Sequence, residues 1–400
     1  MSWEEILAST AFQMSLLMFV ALAGYLIAYR VNQSAVVGII VMGILVGPSL
    51  LKWITYGDFV KSLAHLGAIV LLFTIGLEFN IRDIWKVRYV IIALVGVLVP
   101  AFSGYFLAKA FDFDFKASVF IGTALTATSI AITANVLKEM GKLQTDAARA
   151  IIAAAVIDDI LALLVLSFSE GLVSGDLSAV TIVITLAKAV GFIVAGIILG
   201  KLVFSRLLLR LDRTNMVSKF PECIFLFTIM VAFLYAMVAE IVNLSAIVGS
   251  FLAGTSFAGV KLPRGAAAFR EGAEHLQIIF ASIFFVSLGV IMDLHAVSPG
   301  VLWFVLALTA VAILTKVIGC GLPAFFQRMS IRNSLIVGVG MVPRGEVAMI
   351  VALIGLSQEL ISQSAYTALI LMSLLTTIIP PLILRNLLFK KREEKTDGAH

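Results

Sequence analysis

The chain has 400 residues, of which 61% are apolar and only 13% charged, about half the charged share of an ordinary soluble domain. A chain so poor in charge would expose large apolar patches to water, which excludes a soluble globular protein and predicts a polytopic membrane protein. The net charge of +5 comes from short basic clusters between apolar runs, with no basic stripe or recognition motif, so no nucleic-acid partner is expected.

Thirteen apolar runs of membrane-helix length follow one another, near residues 11–29, 34–51, 60–79, 89–111, 117–138, 147–171, 179–203, 220–239, 245–259, 274–292, 299–326, 331–355 and 364–388. Glu4 and Glu5 precede the first run and no basic residue does, so that run lacks the flank of a cleaved signal peptide and is expected to remain as a helix. The ninth run, 15 residues long, is the shortest. Alternate loops differ sharply in basic content: 22 of the 29 Lys and Arg, from Arg30 to Lys395, fall on one side, and only Lys52, Lys61 and Lys116 on the other. Cytoplasmic loops hold the excess, so the N-terminus is expected outside and the C-terminus inside. A missed or misplaced helix would scramble that parity. Cys223 and Cys320 lie far apart within apolar runs, without metal-ligand spacing, and are expected to be buried small residues.

Thirteen runs divide into six, one linker and six, and the two sets of six then start on opposite sides of the membrane. Inverted repeats of this kind mark transporters, and paired interrupted helices at matching positions point to the binding site. The fifth run carries Thr126, Ala127, Thr128, Ser129 and then Thr133 near its middle; the twelfth carries Pro343, Arg344, Gly345 and Glu346 at the equivalent depth. Proline removes a backbone donor and clashes with the preceding turn, and glycine adds backbone entropy, so the twelfth run is expected to unwind there. Unwound backbone at membrane depth is tolerated where it meets polar partners or a wet cavity. Glu346 falls in the first turn after the break, where a negative charge suits the positive end of a half-helix.

Asp158 and Asp159 sit in the middle of the sixth run, between Ala153 and Ala162. Each ionised carboxylate at that depth costs at least about 2.5 kcal/mol on insertion scales, so an adjacent pair calls for a function. Successive helical residues point about 100° apart. One carboxylate can therefore face a cavity while the other faces a neighbouring helix, where Lys316, deep in the eleventh run, is the natural partner. Burial and pairing push carboxylate and lysine titration in opposite senses, and their balance can bring protonation into the working pH range. A carboxylate that takes either a proton or a hard monovalent cation makes the two compete at one site. If the loaded site faces each side in turn, that competition is antiport.

These motifs, with Leu71-Leu72-Phe73-Thr74-Ile75-Gly76-Leu77-Glu78-Phe79 at the end of the third run, resemble the second branch of the monovalent cation:proton antiporter superfamily, and within it the NapA-type Na+/H+ antiporters. The resemblance covers roughly residues 10–388. It implies an all-α inverted-repeat fold with thirteen transmembrane helices, the fifth and twelfth discontinuous and crossed. Asp159 would carry the ion and the proton, with Na+ bound at Asp159. Asp158 would pair with Lys316 as the ion comes and goes, and Thr128, Ser129, Arg344 and Glu346 would surround the crossing. It further implies a homodimer in the cell membrane, with dimer-side helices 1–3 and core helix 4 in residues 1–110 and core helices 5 and 6 in 111–172. Linker helix 7 would occupy 173–219, dimer-side helices 8–10 residues 220–298, core helices 11–13 residues 299–390, and a cytoplasmic tail 391–400. An elevator-like core would exchange intracellular Na+ or Li+ for outside protons, electrogenically at two protons per Na+. No cofactor is implied.

Glutathione-gated K+ efflux relatives have Gln-Asp in place of Asp158-Asp159 and a nucleotide-binding domain after the last helix, whereas this sequence stops soon after its last run. K+/H+ exchange without that regulatory domain stays open as an alternative, since oxygen ligands leave ion size undetermined. An intramembrane aspartyl protease also buries two Asp, but on separate helices so that both address one water. A channel or sensor built on the same fold is a third reading. The basic tail suits anionic lipid.

Overall fold

The computed structural model describes residues 9–79, 86–174, 179–292 and 299–389, and these residues are all-helical, with no strand among them. In chain order they form α1 (Thr10–Arg30), α2 (Ala35–Val46), α3 (Asp58–Gly76), α4 (Val87–Ala110), α5 (Phe115–Ala124), α6 (Ile130–Glu139) and α7 (Asp146–Ser174). Next come α8 (Ala179–Leu199), α9 (Ser205–Asp212), the single turn α10 (Asn215–Lys219), α11 (Glu222–Ile241), α12 (Ala246–Phe257) and α13 (Ala266–Val290). The last four are α14 (Pro299–Phe326), α15 (Ile331–Gly340), α16 (Glu346–Ser357) and α17 (Gln363–Ile383). Among the described residues nine helices are long and apolar enough to cross a membrane, and shorter apolar helices lie between them.

Several expected boundaries move. The run expected at 34–51 is helical only over Ala35–Val46, because Gly47-Pro48 ends it: Gly47 adopts extended backbone and Pro48 has no donor to continue the ladder. At 1.5 Å per residue its 12 residues reach about 18 Å, well short of a hydrocarbon core. The seventh run continues beyond residue 203, through a π-helical turn at Gly200–Phe204 into α9. Ser205 Oγ holds that turn, donating to Gly200 O at 2.9 Å and to Ser256 O at 2.7 Å. Cys320 is buried as expected, but Cys223, in the first turn of α11, is only half-buried. The tail from residue 390 lies outside the described residues.

The helices pack in two sets. α1, α2 and α3 pack with α11, α12 and α13; α4, α5 and α7 pack with α14 to α17. α8 touches both, lying against α7 and α12. Each set draws members from both halves of the sequence. The fifth and twelfth runs both begin on a capping side chain: Asp114 accepts from Ala117 N at 3.0 Å, and Ser330 from Asn333 N at 3.2 Å.

The sets are also joined at the end of α6, on the face rich in basic residues. Glu139 accepts from Ser34 Oγ at 2.7 Å and from Ala35 N at 3.2 Å, while Lys138 Nζ donates to Gln277 Oε1 at 2.7 Å and lies 3.5 Å from Glu78. A pocket of about 600 Å³ opens beside that junction, lined by Thr74, Glu78, Lys138, Phe257, Lys261 and Gln277. A second, of about 740 Å³, lies between the sets near the start of α3, lined by Asp58, Lys61, His65, Ile291, Met349 and Ile370 among others.

Candidate functional site

Both interruptions expected from sequence are present. α5 stops at Ala124 and α6 starts at Ile130; α15 stops at Gly340 and α16 starts at Glu346. The two gaps satisfy each other's backbone. Ser129 N donates to Pro343 O at 2.8 Å, Thr128 Oγ1 to Met341 O at 3.3 Å, and Thr133 Oγ1 to Gly340 O at 2.6 Å. Arg344 Nη1 returns a bond to Ala127 O at 2.7 Å. Ser373 and Thr377, a turn apart on α17, donate to Arg344 O at 3.2 and 2.8 Å. Peptide groups freed by unwinding are costly in an apolar layer, and these bonds meet that cost inside protein.

Gly345 is needed for this contact. A Cβ there would sit 2.7 Å from Ser129 Cβ and from its Oγ, closer than non-bonded side chains pack. Gly345→Ala is therefore expected to destabilise the protein by about 1–3 kcal/mol through overpacking, read by thermal melting in detergent. Adding Ser129→Gly should return most of that loss, because glycine also serves at a helix start.

Asp158 and Asp159 lie on α7, and the helix turns them to different neighbours. Asp158 is fully buried, with Lys316 Nζ donating to its Oδ1 at 2.8 Å from an equally buried position on α14. Its Oδ2, together with Nε and Nη2 of buried Arg344, has no hydrogen-bond partner among the described residues. Asp159 is 5% exposed and borders a small pocket with Thr128, Ser129 and Gly345 from the two gaps, Ile130 from the start of α6 and Val347 from α16. Ser245 and Ile247, at the start of α12, close its far side. The pocket measures about 10 Å³, the room of roughly one water molecule. Asp159 thus stands where the two helix sets meet, while Asp158 belongs wholly to one of them.

Six of the residues singled out from sequence, Thr128, Ser129, Asp158, Asp159, Lys316 and Arg344, come together around the two gaps. Glu346 opens α16, and its side chain lies outside the described residues. Thr133, Ser245, Ser373 and Thr377 were not picked out as site residues. The Ser373 and Thr377 hydroxyls, four apart on an apolar helix, were a readable signal; Ser245 was not, because its place depends on how the two sets pack. Among the described residues no cluster of His, Cys, Asp and Glu has the form of a multidentate metal site.

The sequence profile described as "Sodium/hydrogen exchanger, transmembrane" matches residues 16–390. A Bacillus cereus protein named Na(+)/H(+)-K(+) antiporter GerN is 32% identical over 377 residues, covering 94% of this chain and 95% of its own. A Na(+)/H(+) antiporter of Enterococcus hirae is 33% identical over 362 residues, covering 90% and 93%. The structure of the sodium proton antiporter MjNhaP1 from Methanocaldococcus jannaschii superposes with a TM-score of 0.66 at 18% identity, over 92% of this chain and 95% of that one. At that identity the superposition speaks for the fold.

Proposed function

This chain belongs to the sodium/hydrogen exchanger family, and we propose that it is a secondary transporter exchanging Na+ for protons at Asp159. The observation that carries the reading is the place of Asp159: a carboxylate at the junction of two interrupted helices and at the seam between two helix sets. There it can pass from one aqueous side to the other without crossing a lipid-facing surface. An ionised Asp159 offers a Na+ ion a charged oxygen, with the Thr128 and Ser129 hydroxyls close by to share the shell. A protonated Asp159 offers none of that charge, so proton and ion exclude each other. Asp158, tied to Lys316, balances charge beside the site.

In this reading thirteen helices cross the membrane, the short ones counted with their extended flanks, and the two interrupted helices cross at their gaps. α4 to α7 with α14 to α17 form a core that slides against α1 to α3 and α11 to α13, the latter set making a homodimer. The basic face is cytoplasmic, in the cell membrane. Intracellular Na+ or Li+ leaves against two protons entering, which makes the exchange electrogenic. The different neighbours of Asp158 and Asp159 disfavour a protease, whose two carboxylates must share one water. K+ as a further substrate is favoured by the relative GerN, whose name includes it.

Proteoliposomes with an acid interior test this. Na+ added outside should collapse the pH gradient, and Li+ likewise; a K+ response would support the second reading. A gradient indifferent to all three would end the antiport proposal. With the membrane potential clamped, the rate should follow the potential, and independence would point to one-for-one exchange.

A further inference from the structure

Lys316 reaches Asp158 from α14, and α4 packs against both α14 and α7, the two helices that carry the pair. Among the described residues the Lys316 ammonium makes one hydrogen bond, to Asp158 Oδ1, so the walls around it must fix where it points. One wall is Gly96, in the middle of α4. A Cβ at Gly96 would overlap Cys320 Sγ, while Cys320 Cβ and Lys316 Nζ would lie 3.9 Å away. Cys320 is four residues after Lys316, one turn along the same face of α14. The backbones are close here too, since a Cβ at Gly319 would stand 3.4 Å from Gly96 Cα. Glycine within a helix is unfavourable unless packing requires it, and this contact supplies the requirement.

We propose that Gly96 is a positioning residue for the exchange: its missing side chain leaves room for Cys320, so that α14 lies close enough to α4 for Lys316 to reach Asp158. The residue acts through the pair and does not touch the ion. A methyl group at position 96 clashes with the sulfur of Cys320, its other near neighbours standing at ordinary contact distance; the sulfur must turn or α14 must withdraw, and either change disturbs the ammonium one turn away. Small displacements of a buried ion pair weigh heavily, because no solvent is present to compensate.

The inference deepens the antiport reading and uses it for its transport readout. Four forms of the full chain are compared in proteoliposomes across a pH series: parental, Gly96→Ala, Cys320→Ala, and the double variant. Gly96→Ala is expected to slow Na+-driven exchange about tenfold or more and to displace the pH profile, as a misplaced reacting group would. Cys320→Ala should stay close to parental. The double variant should regain most of the rate and the parental profile, because removing the sulfur leaves only the ordinary 3.9 Å contact with Cys320 Cβ. A parental rate and profile in Gly96→Ala, or a double variant no better than Gly96→Ala, would overturn the proposal. If Gly96→Ala does not reach the membrane, Cys320→Val fills the same gap from the other helix, and a parental profile there counts against it equally. Should the parental chain fail to exchange any ion, the functional reading falls, and thermal melting decides the positioning separately. Gly96→Ala must then lower the melting temperature less in a Lys316→Gln background than in the parental chain; equal losses refute the coupling.

Discussion

Asp159→Asn is expected to reduce Na+-driven proton movement to the level of protein-free liposomes while leaving the fold intact. The amide has nearly the volume of the carboxylate and keeps one acceptor oxygen, so packing around Thr128, Ser129, Gly345 and Ser245 changes little. What disappears is the charge that attracts the cation and the proton that competes with it. Either loss alone ends exchange, so the variant should fail at every pH in the series and should not be rescued by more Na+. Its melting temperature should stay near the parental value, because the amide fills the same space in the pocket. Na+ should also cease to raise that melting temperature, since a ligand stabilises only what it binds. A variant that still exchanges Na+ for protons would remove Asp159 as the carrier and shift attention to Asp158. A variant that unfolds would instead make Asp159 a structural residue.

That site was unusually legible in the sequence, for a physical reason. Charge in the middle of an apolar run is costly, so Asp158, Asp159, Lys316 and Arg344 stand out without any knowledge of packing. The interruptions were legible too: Pro343 and Gly345 weaken a helix by their own chemistry, and Thr126 to Ser129 offer competing hydrogen bonds. Helix ends set by tertiary contacts were harder to place. The stop of α2 at Gly47-Pro48 was written in its residues but hidden inside a run of uniform hydropathy. The extension of α8 into α9 depends on Ser205 finding Ser256 O, some fifty residues further along the chain. Ser245 beside Asp159 and Gly96 beside Cys320 were invisible for the same reason. Neither is odd in its own segment, and each gains meaning only from what the other helix brings to it.

Lys316→Met gives the largest expected loss of stability. It leaves Asp158 fully buried with neither oxygen hydrogen-bonded to a cation, and its Oδ2 already lacks a partner among the described residues. Breaking a buried pair by removing one member typically costs about 3–5 kcal/mol, because the remaining charge is stranded. A drop in melting temperature on the order of 5 °C or more should follow. The instructive comparison is with Asp158→Asn/Lys316→Met. If the pair is a desolvated ion pair, as the 2.8 Å contact between two fully buried side chains indicates, removing both charges should recover much of the loss, since well-packed neutral groups are often as stable as the pair they replace. Arg344 bears on the size of the effect. Its Nε and Nη2 have no partner among the described residues, and Asp158 is among the charges acting on it. In Lys316→Met the guanidinium is a buried cation already influenced by Asp158 and with donors to spare, so Lys316→Met/Arg344→Met should lose more than the two single variants added together. Additive losses would show that Arg344 serves only the gap, through Ala127 O, and takes no share of the charge on Asp158.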